Sequence, residues 1–365
     1  MTVSTLRPVG CEGASRISWA YILPSAAFTI RHRQVRFYRF SDKRPRPGDV
    51  VCGIVNRIGQ HSSLENASGR IHKIHDGTRA LFVFGNRYAP DYYEALVPDE
   101  MTGQADLIAR SGIVGVVKTK NSLIKDPTKV KVLGYVCDEE GKVLNTRDFP
   151  IIKPRKAVKK QPRSRMILVC GTSMNSGKSM AAAACCWALT SMGYKVRASK
   201  VTGTASLKDI LHMNDAGANP YADFTYLGYP STYMLPRDEL LGIFNQLDLK
   251  YANNPKNFWV VEFADGIIQR ETAMLLGCPE VTSRIHKFIF CASDAFGAIG
   301  GLQILRRFGL RPDALSGICS SSPLLVRELS AFTDIPVFNS GDEQVGPLAE
   351  ILLSPRKQRF PVEQA

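Results

Sequence analysis

No stretch of this chain approaches the roughly 20 consecutive apolar residues that a bilayer-spanning helix needs, so no segment is a candidate for one. Met1 to Arg16 has neither a clean apolar core nor a small-residue cleavage site, and secretion is not expected. The nine cysteines lack the paired spacing of a metal site. A dispersed, odd set reads as reduced core thiols in a cytoplasmic protein, without zinc. Internal repeats are absent. Acidic residues are scarce in one region only: residues 1–165 hold 29 Lys/Arg against 15 Asp/Glu, whereas residues 166–365 hold 18 of each. The entire net charge of +14 therefore lies before residue 166.

With 365 residues and 44% hydrophobic content, the chain is long enough for two domains with separate cores. Residues 1–150 read as a basic, β-rich domain. Short β-branched runs at Val50–Val55, Ala80–Phe84, Ile113–Val117 and Val130–Val136 are divided by turn signals such as Pro47-Gly48-Asp49, Asp76-Gly77 and Glu140-Gly141. This pattern predicts a small barrel or sandwich. His72 and His75, three apart in strand-like sequence, face opposite sides and do not form a metal pair. Arg31, Arg33, Arg36, Arg39, Lys43, Arg44 and Arg46 are interleaved with Phe37, Tyr38 and Phe40. Such a cluster is either an amphipathic edge with solvated arginines or a surface that stacks on and neutralises a single strand. Residues 151–165 form a linker, whose Lys153–Arg165 portion has seven basic residues broken by Pro154 and Pro162. It reads as a solvated tether or as a grip on a polyanion.

From Met166 the pattern changes to alternating strands and helices, which predicts a parallel α/β sheet over residues 166–365. Strands are expected at Met166–Cys170, Lys195–Lys200, Phe258–Phe263, Lys287–Cys291, Ala314–Ser320 and Pro336–Asn339. Helices are expected near Ser179–Met192, Arg270–Leu276, Gly297–Phe308 and Pro323–Phe332. The first strand runs into Gly171-Thr172-Ser173-Met174-Asn175-Ser176-Gly177-Lys178-Ser179-Met180, which has the form of a phosphate-binding loop opening a helix. Glycines let the backbone approach an anion, the amides at the helix start point at phosphate oxygens, and Lys178 reaches the β- and γ-phosphates. Ser179 would place its hydroxyl on Mg²⁺. Five residues separate Gly171 from Gly177, one more than in the common pattern.

Acidic groups are needed to place the metal. Glu262 ends the apolar run Phe258–Val261, at the carboxyl edge where a parallel sheet binds ligands. Asp215 follows the second strand at a distance that could return it to the phosphates. Lys200 ends that second strand and would stabilise charge developing during phosphoryl transfer. Thr202, Thr204 and Ser206 are weaker candidates for holding an anionic substrate.

These residues together resemble the dethiobiotin synthetase-like P-loop proteins. That group is related to cobyrinate amidotransferase synthetases and to dimeric MinD-like ATPases. The resemblance covers about residues 166–345. It rests on the long Gly171–Ser179 loop, Lys200, Asp215, Glu262, and the later segments Ser293–Ala298 and Leu315–Ile318. It implies a P-loop NTPase fold, ATP and Mg²⁺, Lys178 and Lys200 as catalytic lysines, Ser179, Asp215 and Glu262 as metal ligands, and a homodimer. The chain departs from that pattern at Ser173 and Asn175, at Glu262-Phe263-Ala264-Asp265-Gly266, and at Cys319–Ser322. The expected function is Mg-ATP-dependent phosphoryl transfer or ligase chemistry on a small acidic or amine metabolite, with Asp265 and Tyr226–Tyr233 touching the substrate. The alternative is an ATPase switch whose basic N-terminal half binds nucleic acid or a protein. No membrane partner is expected.

Overall fold

The computed structural model describes residues 13–156, 161–342 and 345–355. Residues 157–160 of the linker lie outside the described residues. The chain divides into two compact units. The first holds the residues up to Lys153 together with Thr204–Leu207 and Phe224–Tyr233; the second holds Pro154–Gly203, Lys208–Asp223 and the chain from Met234.

The first unit is a barrel. Strand Val50–Arg57 pairs antiparallel with Arg79–Phe84, which pairs parallel with Ile113–Lys120. That strand is antiparallel to Gln104–Leu107, which pairs with Thr128–Cys137, which returns to Val50–Arg57. Five strands thus close a ring, which leaves no edge within it to recruit another chain. Alternate side chains from all five, including Val51, Phe82, Leu107, Val114 and Val132, fill one buried cluster, the barrel interior. The opposite faces, among them Val50, Leu81, Ile113 and Val136, are covered by the segment containing Leu23, Ala26 and Ile30. Strands Phe37–Arg39 and Ser15–Arg16 extend the sheet outward from Thr128–Cys137.

The second unit is a parallel sheet of six strands: β1 (Arg165–Gly171), β2 (Val196–Lys200), β3 (Tyr221–Asp223), β4 (Phe258–Glu262), β5 (Ile285–Cys291) and β6 (Ala314–Ser316). Their order across the sheet is β3-β2-β4-β1-β5-β6, with every pairing parallel. Met166–Cys170 at the centre is fully buried, as expected when helices cover both faces. Helix α1 (Lys178–Thr190) lies close over the sheet because the residues it buries, Ala181, Ala182, Cys185, Cys186 and Ala188, are small. Helices α2 (Leu207–Asp215) and α3 (Arg237–Tyr251) and strand β3 are not anticipated by the sequence reading. In contrast, Pro336–Asn339 forms no strand: a single bridge joins Val337 to Leu315. The segment pairs at one residue, beside a β6 that is only three residues long.

A buried charge cluster ties α3 to the starts of β1 and β5. Asp248 Oδ1 accepts from Arg163 at 3.0 Å and from Arg284 at 3.1 Å, and the Asp248 side chain is fully buried. Removing the carboxylate leaves two guanidinium groups facing each other away from water. Asp248→Ala is therefore expected to destabilise the second unit by about 3–5 kcal/mol. In urea unfolding this would lower the midpoint at unchanged slope; an unmoved midpoint would show that solvent already screens the cluster.

Candidate functional site

The loop after β1 is shaped by close backbone contacts. Gly177 has φ +93°, and a Cβ there would lie 2.7 Å from the Gly317 Cα, so the two segments fit only without side chains. Asn175 also takes a left-handed conformation, φ 60°. Left-handed residues set between right-handed ones can turn successive amide groups toward a common point, as in an anion-binding concavity. Gly177 caps α1 with no side-chain hydrogen bond, so the donors of the helix's first turn are not met by a capping side chain.

Lys178 folds back over this loop. Its Nζ donates to the Ser173 carbonyl at 2.6 Å and lies 3.5 Å from Ser176 Oγ. The residue is only 6% exposed, and among the described residues no carboxylate lies within ion-pair distance of it. Burial pulls its pKa below the usual lysine range, with Glu262 and Asp265 acting in the opposite sense. A buried cation without a carboxylate is a group suited to an anionic guest.

At the neighbouring strand ends, Glu262 is 1% exposed. Its Oε1 accepts from Ser179 Oγ at 3.2 Å and lies 3.7 Å from Lys200 Nζ. Its Oε2 is buried without a hydrogen-bond partner. Burial raises the Glu262 pKa, opposed chiefly by Lys200. Lys200 itself is buried, which disfavours its charge, but Asp209 and Glu262 outweigh burial and raise its pKa. Asp209, on the first turns of α2, accepts a hydrogen bond from Lys200 Nζ.

Ser179, Glu262, Lys178 and Lys200 therefore converge as the sequence reading expects, but Asp215 does not join them. It is the last residue of α2, exposed, and makes no hydrogen bond or ion pair with Ser179 or Glu262. Asp209, six residues earlier, is the second acid at the site. The sequence reading misses it because it treats 207–215 as a loop. The signal for a helix was present in the apolar residues Leu207, Ile210, Leu211 and Met213, with spacings of three and four. Of the weaker substrate candidates, Thr202 Oγ1 is occupied by the Ala264 amide at 2.8 Å. Thr204, Ser206 and Tyr226–Tyr233 fold with the first unit. Asp265, at φ 58°, stays with the second unit, three residues beyond Glu262.

A divalent cation fits this set through Ser179 Oγ and the unpartnered Glu262 Oε2. No group of three or more His, Cys, Asp or Glu that could hold a metal occurs among the described residues. The remaining ligands would be phosphate and water oxygens, as is usual for Mg²⁺. A cavity of about 540 Å³ is lined by Met180, Trp187, His212, Asp215, Phe338 and Asn339, among others.

A central parallel strand, an uncapped helix start, a buried Gly-Lys-Ser lysine and a strand-end glutamate together give the strand–loop–helix arrangement of a phosphate-binding loop. Similar solved structures include the signal recognition particle receptor FtsY from Elizabethkingia anophelis, at 13% identity over 58% of this chain and 74% of that chain, TM-score 0.35. The same receptor in complex with GDP matches at 12% identity over 56% and 68%, TM-score 0.34. A ParA family ATPase from Chlorobium tepidum TLS matches at 14% identity over 53% and 90%, TM-score 0.33. No family model and no curated protein matches the chain. At this level of likeness, what the site does must be read from its own residues. No helix among the described residues is long and apolar enough to cross a membrane.

Proposed function

We propose that the second unit binds Mg-ATP and transfers its γ-phosphoryl group to a small acidic or amine metabolite, directly or on the way to a ligase-type product. The observation that carries this reading is Lys178, buried without a carboxylate beside the uncapped start of α1. Lys178 and the loop amides would take the β- and γ-phosphates, and the nucleoside would extend into the cavity that Met180 lines. Bound Mg²⁺ would supply charge neutralisation between the phosphates. Ser179 and Glu262 would hold it from the protein side. Lys200, kept charged by Asp209, stands beside Glu262 to stabilise charge on the transferring group. Asp265 is the acid best placed in sequence to meet the acceptor. A homodimer is part of this proposal by resemblance.

A second reading is a nucleotide-driven switch, favoured by the concentration of all net positive charge before residue 166. Hydrolysis of ATP and GTP by the purified chain, with bicarbonate, amine and carboxylate metabolites, and single-stranded nucleic acid as additions, separates the two. Stimulation by one small metabolite is the expected result. Stimulation by nucleic acid alone would replace the enzyme by the switch, and absence of any nucleotide binding would end both.

A further inference from the structure

The basic and aromatic cluster before residue 46 plays no part in the nucleotide site, and the structure gives it a definite form. Trp19, Tyr21 and Tyr38 lie together on the outer face of the barrel, with ring centroids 6.0 Å (Trp19–Tyr21) and 6.5 Å (Trp19–Tyr38) apart. Each of these residues packs against the outer core and is only partly buried. His32 continues the group, 5.5 Å from the Tyr21 ring, with its Nδ1 3.0 Å from the Tyr21 hydroxyl. The Arg79 guanidinium lies over Trp19 at 5.3 Å. The exposed Arg31 and Arg33 flank His32 on its short 3₁₀ turn.

Residues 13–46 hold eight Lys/Arg against one acidic residue, Asp42. Three of these cations have carboxylates: Lys43 with Asp49, Arg44 with Asp99, and Arg36 with Glu139 at 3.8 Å. Among the described residues no carboxylate lies within ion-pair distance of Arg16, Arg31, Arg33, Arg39 or Arg79. An acidic partner surface is thus absent where the rings are exposed. The exposed large apolar residues of this unit, Phe40, Ile71, Leu123 and Ile151, are scattered along the chain, which does not suit insertion into a lipid surface.

We infer that this face of the barrel binds single-stranded nucleic acid, with bases stacked on Trp19 and its neighbouring rings and phosphates held by Arg31, Arg33 and Arg79. Partly exposed rings accept any base, because every base has a π-face. A base on Trp19 would take the place of the Arg79 guanidinium that lies over the ring, leaving that cation to meet a phosphate. Three phosphate contacts would make the logarithm of affinity fall with the logarithm of salt at a slope of about −2.

The test is fluorescence anisotropy of the full-length chain with a labelled deoxythymidylate strand of about 20 nucleotides, from about 50 to 200 mM salt. Saturable binding with that slope is expected, together with quenching of tryptophan fluorescence. The double variant R31E/R33E should lose at least about tenfold in affinity and flatten the slope. Trp19→Ala should lose about 5- to 100-fold at an unchanged slope, and Trp19→Phe should recover most of it. If Trp19→Ala does not fold, loss of quenching in Trp19→Phe at retained binding reports the same contact. No binding at low salt overturns the inference. So does an undiminished affinity in R31E/R33E, or a preference for duplex of equal length or for phosphatidylserine vesicles over the single strand. Nucleotide hydrolysis is not the readout, so this result stands apart from the function proposed for the second unit.

Discussion

Lys178→Ala is expected to weaken Mg-ATP binding by about 100-fold or more while leaving the nucleotide-free protein at least as stable as before. The two halves of this expectation share one cause. In the structure the Lys178 ammonium is buried, its pKa is pulled down by that burial, and its hydrogen-bond acceptors are one carbonyl and one distant hydroxyl. Holding a cation there costs folding free energy, so its removal relieves the nucleotide-free state. Bound nucleotide would convert the same ammonium into the donor of two or so charge-assisted hydrogen bonds, each contributing roughly 1.5–3 kcal/mol. Two such bonds amount to at least a hundredfold in affinity. Titration with a fluorescent ATP analogue and a thermal melt without nucleotide read the two halves separately. Equal affinity in the two proteins would sink the assignment of the loop. A large fall in the melting temperature would mean that the lysine is structural.

The second expectation concerns rate. Lys200→Ala should leave Mg-ATP affinity within a few-fold and reduce turnover by about 10²–10³-fold. In the structure this ammonium is held by Asp209 and lies 3.7 Å from Glu262, at the end of β2. It is therefore placed to answer charge that grows during transfer, an interaction stronger in the transition state than in the ground state. Because the variant leaves Asp209 and Glu262 facing one another, it should also be somewhat less stable. Turnover must therefore be measured at a temperature where the variant is folded. If affinity falls as far as turnover, Lys200 is a ground-state ligand. If turnover is unchanged at saturating Mg-ATP, it has no part in the chemistry.

The glycine-rich loop after β1 was largely legible because its pattern is local. An apolar strand, a glycine-rich turn and Gly-Lys-Ser follow one another within residues 166–179, and such a loop needs no distant partner to take its shape. Glu262 and Lys200 were legible for a related reason: in a parallel sheet, residues ending adjacent strands meet at the carboxyl edge. The register pairs Lys200 with Glu262 directly. The second acid was not legible. Asp209 and Asp215 share α2, but six residues at about 100° each set them roughly 120° apart around it, so only one can face Lys200. Chain order does not say which.

The first unit shows the same division. Alternating β-branched runs and turn signals declared it β-rich, yet barrel and sandwich share those signals. Gln104–Leu107, which bridges Ile113–Lys120 to Thr128–Cys137, decides the matter, and it is four residues long. The folding of Thr204–Leu207 and Phe224–Tyr233 with that unit was equally hidden, because nothing in their composition differs from an ordinary loop. By itself the sequence determined the phosphate loop, the parallel α/β pattern around it and the uneven charge. Tertiary structure alone decided which acid holds Lys200, how the barrel closes, and which aromatic rings gather on its outer side. Backbone conformation and period are set by neighbours along the chain, whereas the direction of a side chain depends on helix rotation and strand register, and packing between distant segments sets both.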